Sequence, residues 1–366
     1  MDRDELAAWL RLLETPQIGP VAARKLLAAL GSPQAIFEAS AGALRGLLGE
    51  KEAQALQTAP ESLPALLDAT WTWLQTEPGR HLLTLGDADY PAALLECADP
   101  PLLLYAIGRL ETLRRPALAV VGSRNPTPQG LQNATAFAES LSRAGLAIVS
   151  GLALGIDGAA HEGALRAAGS TIAVVGTGLD RVYPKQHREL AHRIGERGLL
   201  LSEYPLGMPP LAPNFPKRNR IISGLARGTL VVEAALQSGS LITARLAAEM
   251  GREVFAIPGS IHAPQSRGCH ALIEQGAKLV DSAQDVLEEL RLELAAVPIA
   301  PSVPAAAGAA KDAVLDALGY DPVNLDALSA RTGMDPAALS ARLLELELEG
   351  QVARLPGQLF QRLARG

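Results

Sequence analysis

From Leu118 onward, short apolar runs alternate with stretches of helical periodicity. The runs cover 118–121, 146–149, 171–175, 199–202, 229–233, 253–257 and 278–280, and they are short, mostly apolar and rich in β-branched residues. Runs of that kind mark strands buried on both faces. Between them the spacing predicts helices near 130–144, 157–168, 185–197, 217–226, 240–250, 268–275 and 282–294. Strands alternating with helices of this length give a parallel sheet covered on both sides. The flanks differ. Residues 1–75 place leucines at helical spacing (Leu6, Leu10, Leu13; Leu26, Leu27, Leu30) with three helix-loop breaks. A connector, 81–117, carries Asp89-Tyr90-Pro91 and Pro100-Pro101. After a Pro/Ala linker at 295–310, the tail 311–366 reads as helices at 311–318, 324–331 and 335–349, then two short strands around Pro356-Gly357.

The expected fold class is therefore α/β. A doubly wound, extended Rossmann-like sheet occupies 118–294, an all-helical module of helix-hairpin-helix or SAM-like type occupies 1–80, and a winged-helix domain occupies 311–366. A length of 366 residues agrees with two or three domains. A hydrophobic fraction of 48% with 20% charged residues excludes global disorder, and only 4% aromatics requires an aliphatic core. Two cysteines, Cys97 and Cys269, cannot form a disulfide framework. The acidic start Asp2-Arg3-Asp4-Glu5 lacks signal-peptide layout, and no apolar run reaches 18 residues, so the expected location is cytoplasmic with no membrane partner. The net charge of −6 is uneven: −7 over residues 1–108, +3 over 109–294 and −2 over 295–366. An anionic ligand belongs with the middle segment.

In a doubly wound sheet, ligands sit beyond the carboxyl ends of the strands. Those ends read Gly122-Ser123-Arg124, Ser150-Gly151-Leu152-Ala153, Gly176-Thr177-Gly178, Ser238-Gly239-Ser240 and Pro258-Gly259-Ser260. Small residues there let phosphate approach backbone N–H groups at helix starts. Tight βα turns alone would account for one or two such loops, less well for five. A G-x-G-x-x-G after the first strand and a G-x-x-x-x-G-K-[ST] are both missing, so the loops suit phosphates without a device for reading NAD or ATP. Asn214-Phe215-Pro216-Lys217-Arg218-Asn219-Arg220 adds three cations beside an aromatic ring, a pattern suited to a single strand. The alternative is a solvated basic turn with Phe215 buried. Among catalytic candidates, Asp157 and His161 share a helix face and read as a structural hydrogen bond rather than metal ligands. Cys269-His270 are adjacent and do not face each other. Glu233 could act as a general base or orient the Ser238–Ser240 loop.

Two stretches resemble known families. Thr15-Pro16-Gln17-Ile18-Gly19-Pro20-Val21 resembles a helix-hairpin-helix, with Gln17 and Val21 replacing the usual glycine and lysine, which points to a structural role. The core resembles the DNA-processing protein A family (DprA, also called Smf). The resemblance runs through Val121-Gly122-Ser123-Arg124, Ser150-Gly151-Leu152-Ala153 with Gly155-Ile156-Asp157 and His161, then Tyr183-Pro184 and Ser202-Glu203-Tyr204-Pro205. It continues through Phe215–Ile222, Val232-Glu233-Ala234, Ser238–Ala244 and Pro258-Gly259. It implies a non-enzymatic protein with no cofactor that binds single-stranded DNA and hands it to the RecA recombinase in natural transformation. It also implies a homodimer, with single-strand-binding protein as a further candidate partner. Carried over, Gly122, Ser123, Arg124, Ser150, Gly151, Ser238, Gly239 and Ser240 would hold phosphate, and Lys217, Arg218 and Arg220 would line the strand's path. Phe215 as a stacking ring rests on the residues rather than the family. Leu154 stands where an arginine is usual and Gly268-Cys269-His270 where Gly-Thr-Asn is usual; Arg245 could substitute for the lost cation. The rival reading is a nucleotide-hydrolysing, phosphoribohydrolase-like enzyme using Gly228-Thr229 and Glu233. The third tail helix carries Glu345, Glu347 and Glu349 against one Arg342, which argues against reading of a DNA groove.

Overall fold

The computed structural model describes residues 1–167, 170–291, 312–320 and 322–363. The expected linker at 295–310 lies outside the described residues. Seven parallel strands form the centre: β3 (Ala117–Val121), β4 (Ala147–Ser150), β5 (Thr171–Val174), β6 (Leu199–Ser202), β7 (Gly228–Val231), β8 (Glu253–Ala256) and β9 (Lys278–Leu279). Each falls within a residue of an apolar run. The connector holds two further strands, β1 (Arg80–Thr84) and β2 (Leu103–Gly108), which extend the sheet antiparallel beyond β6. The order is β1-β2-β6-β5-β4-β3-β7-β8-β9. Neither added strand was expected. β1 reads Arg80-His81-Leu82-Leu83-Thr84, with a single β-branched residue at its end, and it is held as a strand by pairing with β2.

The sheet divides its side chains by parity. Ala117, Ala119 and Val121 of β3 face one way with Ile221, Ile222 and Ala244 from helices Asn214–Leu225 and Ser240–Glu249. Leu118 and Val120 face the other way with Phe137, Leu141, Ile156 and Ala160 from helices Pro128–Arg143 and Ile156–Arg166. Burial on both faces explains why the central positions of these strands are apolar on both parities.

The N-terminal module packs Trp9, Leu12, Leu26 and Trp73 against Leu103 and Tyr105 of β2, with the Trp73 and Tyr105 rings 5.8 Å apart, edge to face. Arg24 from this module reaches Asp99 at 2.8 Å. The tail has its own core of Val314, Leu318, Leu328, Leu339, Leu343 and Leu346. Its helices, Ala313–Leu318, Leu325–Thr332 and Pro336–Leu348, lie close to the expected spans. They are followed by β11 (Val352–Leu355) and β12 (Leu359–Arg362), which form a small sheet with β10 (Val323–Asn324). Among the described residues, no helix is long and apolar enough to cross a membrane.

Candidate nucleic-acid interface

After β3 the chain steps outward through β4, β5 and β6, then returns to place β7 on the other side of β3. The turns leaving β3 and β7 therefore diverge and open a crevice at their carboxyl ends. The Ser123 N–H donates to the Glu233 carbonyl (2.7 Å), the Ser123 carbonyl accepts from Ile156 N (3.1 Å), and Ser123 Oγ accepts from Asn125 N (3.1 Å). The Gly122-Ser123-Arg124 turn is thus tied to both sides of the crevice, and Arg124 projects from it exposed.

Glu233 meets Thr127 rather than the Ser238–Ser240 loop. Its carboxylate accepts from the backbone N–H and the hydroxyl of Thr127 (2.9 and 2.6 Å), and Thr127 Oγ1 in turn caps Gly130 N of helix Pro128–Arg143 (3.0 Å). Burial raises its pKa, and the two Thr127 hydrogen bonds oppose that shift.

The Ser150–Gly155 turn is also fixed from within. Ser150 Oγ donates to the Val120 carbonyl (2.6 Å) and is fully buried. The buried Asp157 carboxylate accepts from Gly151 N (3.1 Å) and Ala153 N (3.3 Å), which fills the place an external anion would take. Leu152 adopts φ 58°, a left-handed conformation that side chains disfavour. A Cβ at Gly155 would overlap the Ser123 carbonyl. Asp157 and His161 do not bond to each other as expected. Instead His161 Nδ1 lies 2.7 Å from Thr171 Oγ1, whose own proton goes to the Ile148 carbonyl (2.7 Å). Nδ1 is therefore the donor, and the buried Nε2 is an unprotonated acceptor with no described partner. Burial, then His187 and Arg218, push its pKa down to about 3.

Helix Asn214–Leu225 starts three residues earlier than expected, so the basic cluster lies inside its first turns. This corrects the expected path of cations. Arg218 is only 4% exposed and donates to the carbonyls of Gly151 (2.6 Å) and Val174. A Cβ at Gly151 would collide with that guanidinium. Burial lowers the Arg218 pKa to about 10, partly offset by the Asp157 carboxylate, and burial raises the pKa of Asp157. Arg220 grips Glu203 with both terminal nitrogens (2.8 and 2.6 Å) and the Asp99 carbonyl with Nε (2.9 Å). Of the three cations, Lys217 alone is exposed.

Phe215, half-buried, stands beside Arg124, whose guanidinium carbon is 5.8 Å from the ring centre. Its other neighbour is Tyr183, ring centres 5.7 Å apart and planes 36° apart, with Tyr183 48% exposed. In the sequence Tyr183 stands out only as part of the Tyr183-Pro184 motif. Its signal is long-range, since 31 intervening residues separate the two rings. Ser238 and Ser240 share a hydroxyl hydrogen bond (2.6 Å) at the start of helix Ser240–Glu249, and Gly239 is open on its Cβ side. Asn219 Nδ2 reaches the Gly239 carbonyl at 3.4 Å, so this loop adjoins the basic helix.

Leu154 is exposed at the edge. Arg245 lies elsewhere, lining a cavity of about 450 Å³ with Leu241, Arg252, Glu253, Leu272 and Gln275. Cys269 is buried against the Val231 and Val232 carbonyls, and His270 Nε2 lies 3.0 Å from the Gly259 carbonyl. Among the described residues, no group of three His, Cys, Asp or Glu side chains could hold a metal ion.

Open small-residue turns, exposed cations and a pair of rings on one strand edge suit a chain of phosphates carrying flat bases. The class is a Rossmann-like DNA-processing protein. Residues 81–291 match DNA recombination-mediator protein A, residues 3–63 a DprA-like N-terminal HHH domain, and residues 298–358 a DprA winged helix domain. The chain belongs to the DNA recombination-mediator protein A family. It is 45% identical to Protein Smf of Escherichia coli strain K12 over 298 residues, covering 80% of this chain and 79% of that one. It is 54% identical to DNA processing protein DprA of Streptococcus pneumoniae over 203 residues, covering 56% and 72%. An X-ray structure of the Streptococcus pneumoniae protein superimposes with TM-score 0.68 at 40% identity, covering 79% of this chain and 98% of that one. A structure of DNA processing protein A from Helicobacter pylori, described for its single-stranded DNA binding mode, gives 0.54 at 33% identity, covering 59% and 98%.

Proposed function

We propose that this chain binds single-stranded DNA along the carboxyl edge of its sheet and loads the RecA recombinase onto it during natural transformation, without catalysing a reaction. The observation that carries the reading is the Arg124–Phe215–Tyr183 arrangement at the mouth of the β3/β7 crevice. A base can stack on an exposed ring while a guanidinium meets the adjoining phosphate. Lys217 and the Gly122-Ser123 and Ser238–Ser240 turns continue the path. Gly151, Ser150, Arg218 and Arg220 hold that path in shape from behind. A homodimer and single-strand-binding protein complete the proposed partners.

The non-catalytic reading is supported by Glu233, the best candidate for a general base. Both of its oxygens are engaged by Thr127. Family membership and the single-strand binding described for the Helicobacter pylori relative support the choice of ligand.

The test is fluorescence anisotropy of labelled oligo-dT and of a matched duplex across a salt series. Single-strand affinity is expected to fall with log salt at a slope of roughly −0.7 per phosphate contacted. Arg124→Ala and Lys217→Ala should each weaken binding about tenfold, and Lys217→Ala should also flatten the slope by roughly one contact. Absence of single-strand binding overturns the reading. Turnover of a nucleoside monophosphate that disappears in Glu233→Gln would replace it with the hydrolase.

A further inference from the structure

The winged tail presents an apolar face that its own fold does not cover. Helix Pro336–Leu348 buries Leu339, Leu343 and Leu346 in the tail core. Ala337, Ala341, Leu344 and Leu348 recur on another face at spacings of four, three and four, the spacing of a coiled-coil seam. All four are exposed, Leu344 by 56% and Leu348 by 82%. Glu345, Glu347 and Glu349 border the stripe and are exposed. Arg342 is held by Asp312 (2.5 Å) and Glu345 (2.6 Å), so its charge is already matched. The wing's Arg354 lies over Phe360, 5.9 Å from the ring centre. A DNA groove would repel this helix, whose complement is a surface of rings and cations.

The core carries such a surface at its carboxyl edge: Tyr183 and Phe215 with exposed Arg124 and Lys217. The segment between Arg291 and Asp312 has 20 residues, which fully extended reaches about 65 Å, ample to cross a domain of this size. We propose that the Leu344–Leu348 face docks on the carboxyl edge of the same chain's core and competes there with single-stranded DNA. The leucines take the place of bases against Tyr183 and Phe215, and the glutamates take the place of phosphates at Arg124 and Lys217. Tethering makes even a weak contact effective, since a short linker supplies local concentrations on the order of millimolar. This inference rests on the DNA-binding reading above.

The test uses the full chain with L344Q/L348Q, both positions exposed and outside the tail core. Oligo-dT anisotropy should show the variant binding about five- to tenfold tighter than the parent, because an occluded edge lowers apparent affinity by the fraction open. Equal affinity overturns the inference, and weaker binding by the variant overturns it by making the tail a DNA contact. Hydrogen exchange without DNA supplies the independent readout. Residues 181–187 and 214–218 should exchange faster in L344Q/L348Q than in the parent. Protection confined to helix Pro336–Leu348 would assign another occupant and overturn the proposal, as would protection that vanishes on dilution, which marks docking between copies. If neither protein binds oligo-dT, the DNA reading fails, while the exchange comparison still decides the docking.

Discussion

Single residues at this edge divide into those that face solvent and those that hold the edge from inside. Arg218 belongs to the second kind. Arg218→Ala would leave the Gly151 and Val174 carbonyls and the buried Asp157 charge without their partner, at a cost of about 3 kcal/mol. A urea melt should show that loss, whereas Lys217→Ala should leave the midpoint unchanged and weaken only DNA binding. His161 contributes a pH dependence. Its folded pKa of about 3 lies below the ordinary value of 6.5, so the unfolded chain takes up a proton that the fold refuses. Its stabilisation is complete above about pH 6.5 and is lost as pH falls toward 3, at up to about 1.4 kcal/mol per pH unit. Thermal melts from pH 7 to pH 5 should show that decline, and His161→Asn, which keeps a donor for Thr171 but does not titrate, should flatten it. Gln17 holds φ 69° where helix-hairpin-helix proteins usually have glycine. Gln17→Gly should therefore raise stability by up to about 1 kcal/mol in the same melts.

At the scale of elements, the seven central strands were legible because burial on both faces writes itself into consecutive apolar residues. The helix after β6 starts three residues before its sequence pattern predicts, because Asn214-Phe215-Pro216 reads as a breaker. Proline is tolerated in a first turn, where its missing N–H has no helical partner. The Thr127–Glu233 contact joins the N-terminus of one helix to the end of β7 across 106 positions, which no local pattern announces. Thr127→Val would remove the cap and leave Glu233 short of a donor. Chemical denaturation should register about 2 kcal/mol.

At the scale of the molecule, residue type and order were enough to determine the doubly wound core, the helical module and the winged tail, and they are the source of the strand edge proposed for a polyanion. Periodicity and small residues at strand ends are local consequences of burial and of close approach. Tertiary structure decided which cations remain available. Lys217, Arg218 and Arg220 are equivalent as letters, yet a helix of 3.6 residues per turn points them differently. One meets solvent, one the carbonyls beneath the sheet edge, and one Glu203. It also brought Tyr183 to Phe215 and gave Asp157 the N–H groups of the Ser150–Gly155 turn. Such pairings depend on where distant segments meet once the sheet is assembled, and a linear pattern of apolar and polar positions carries no record of that distance.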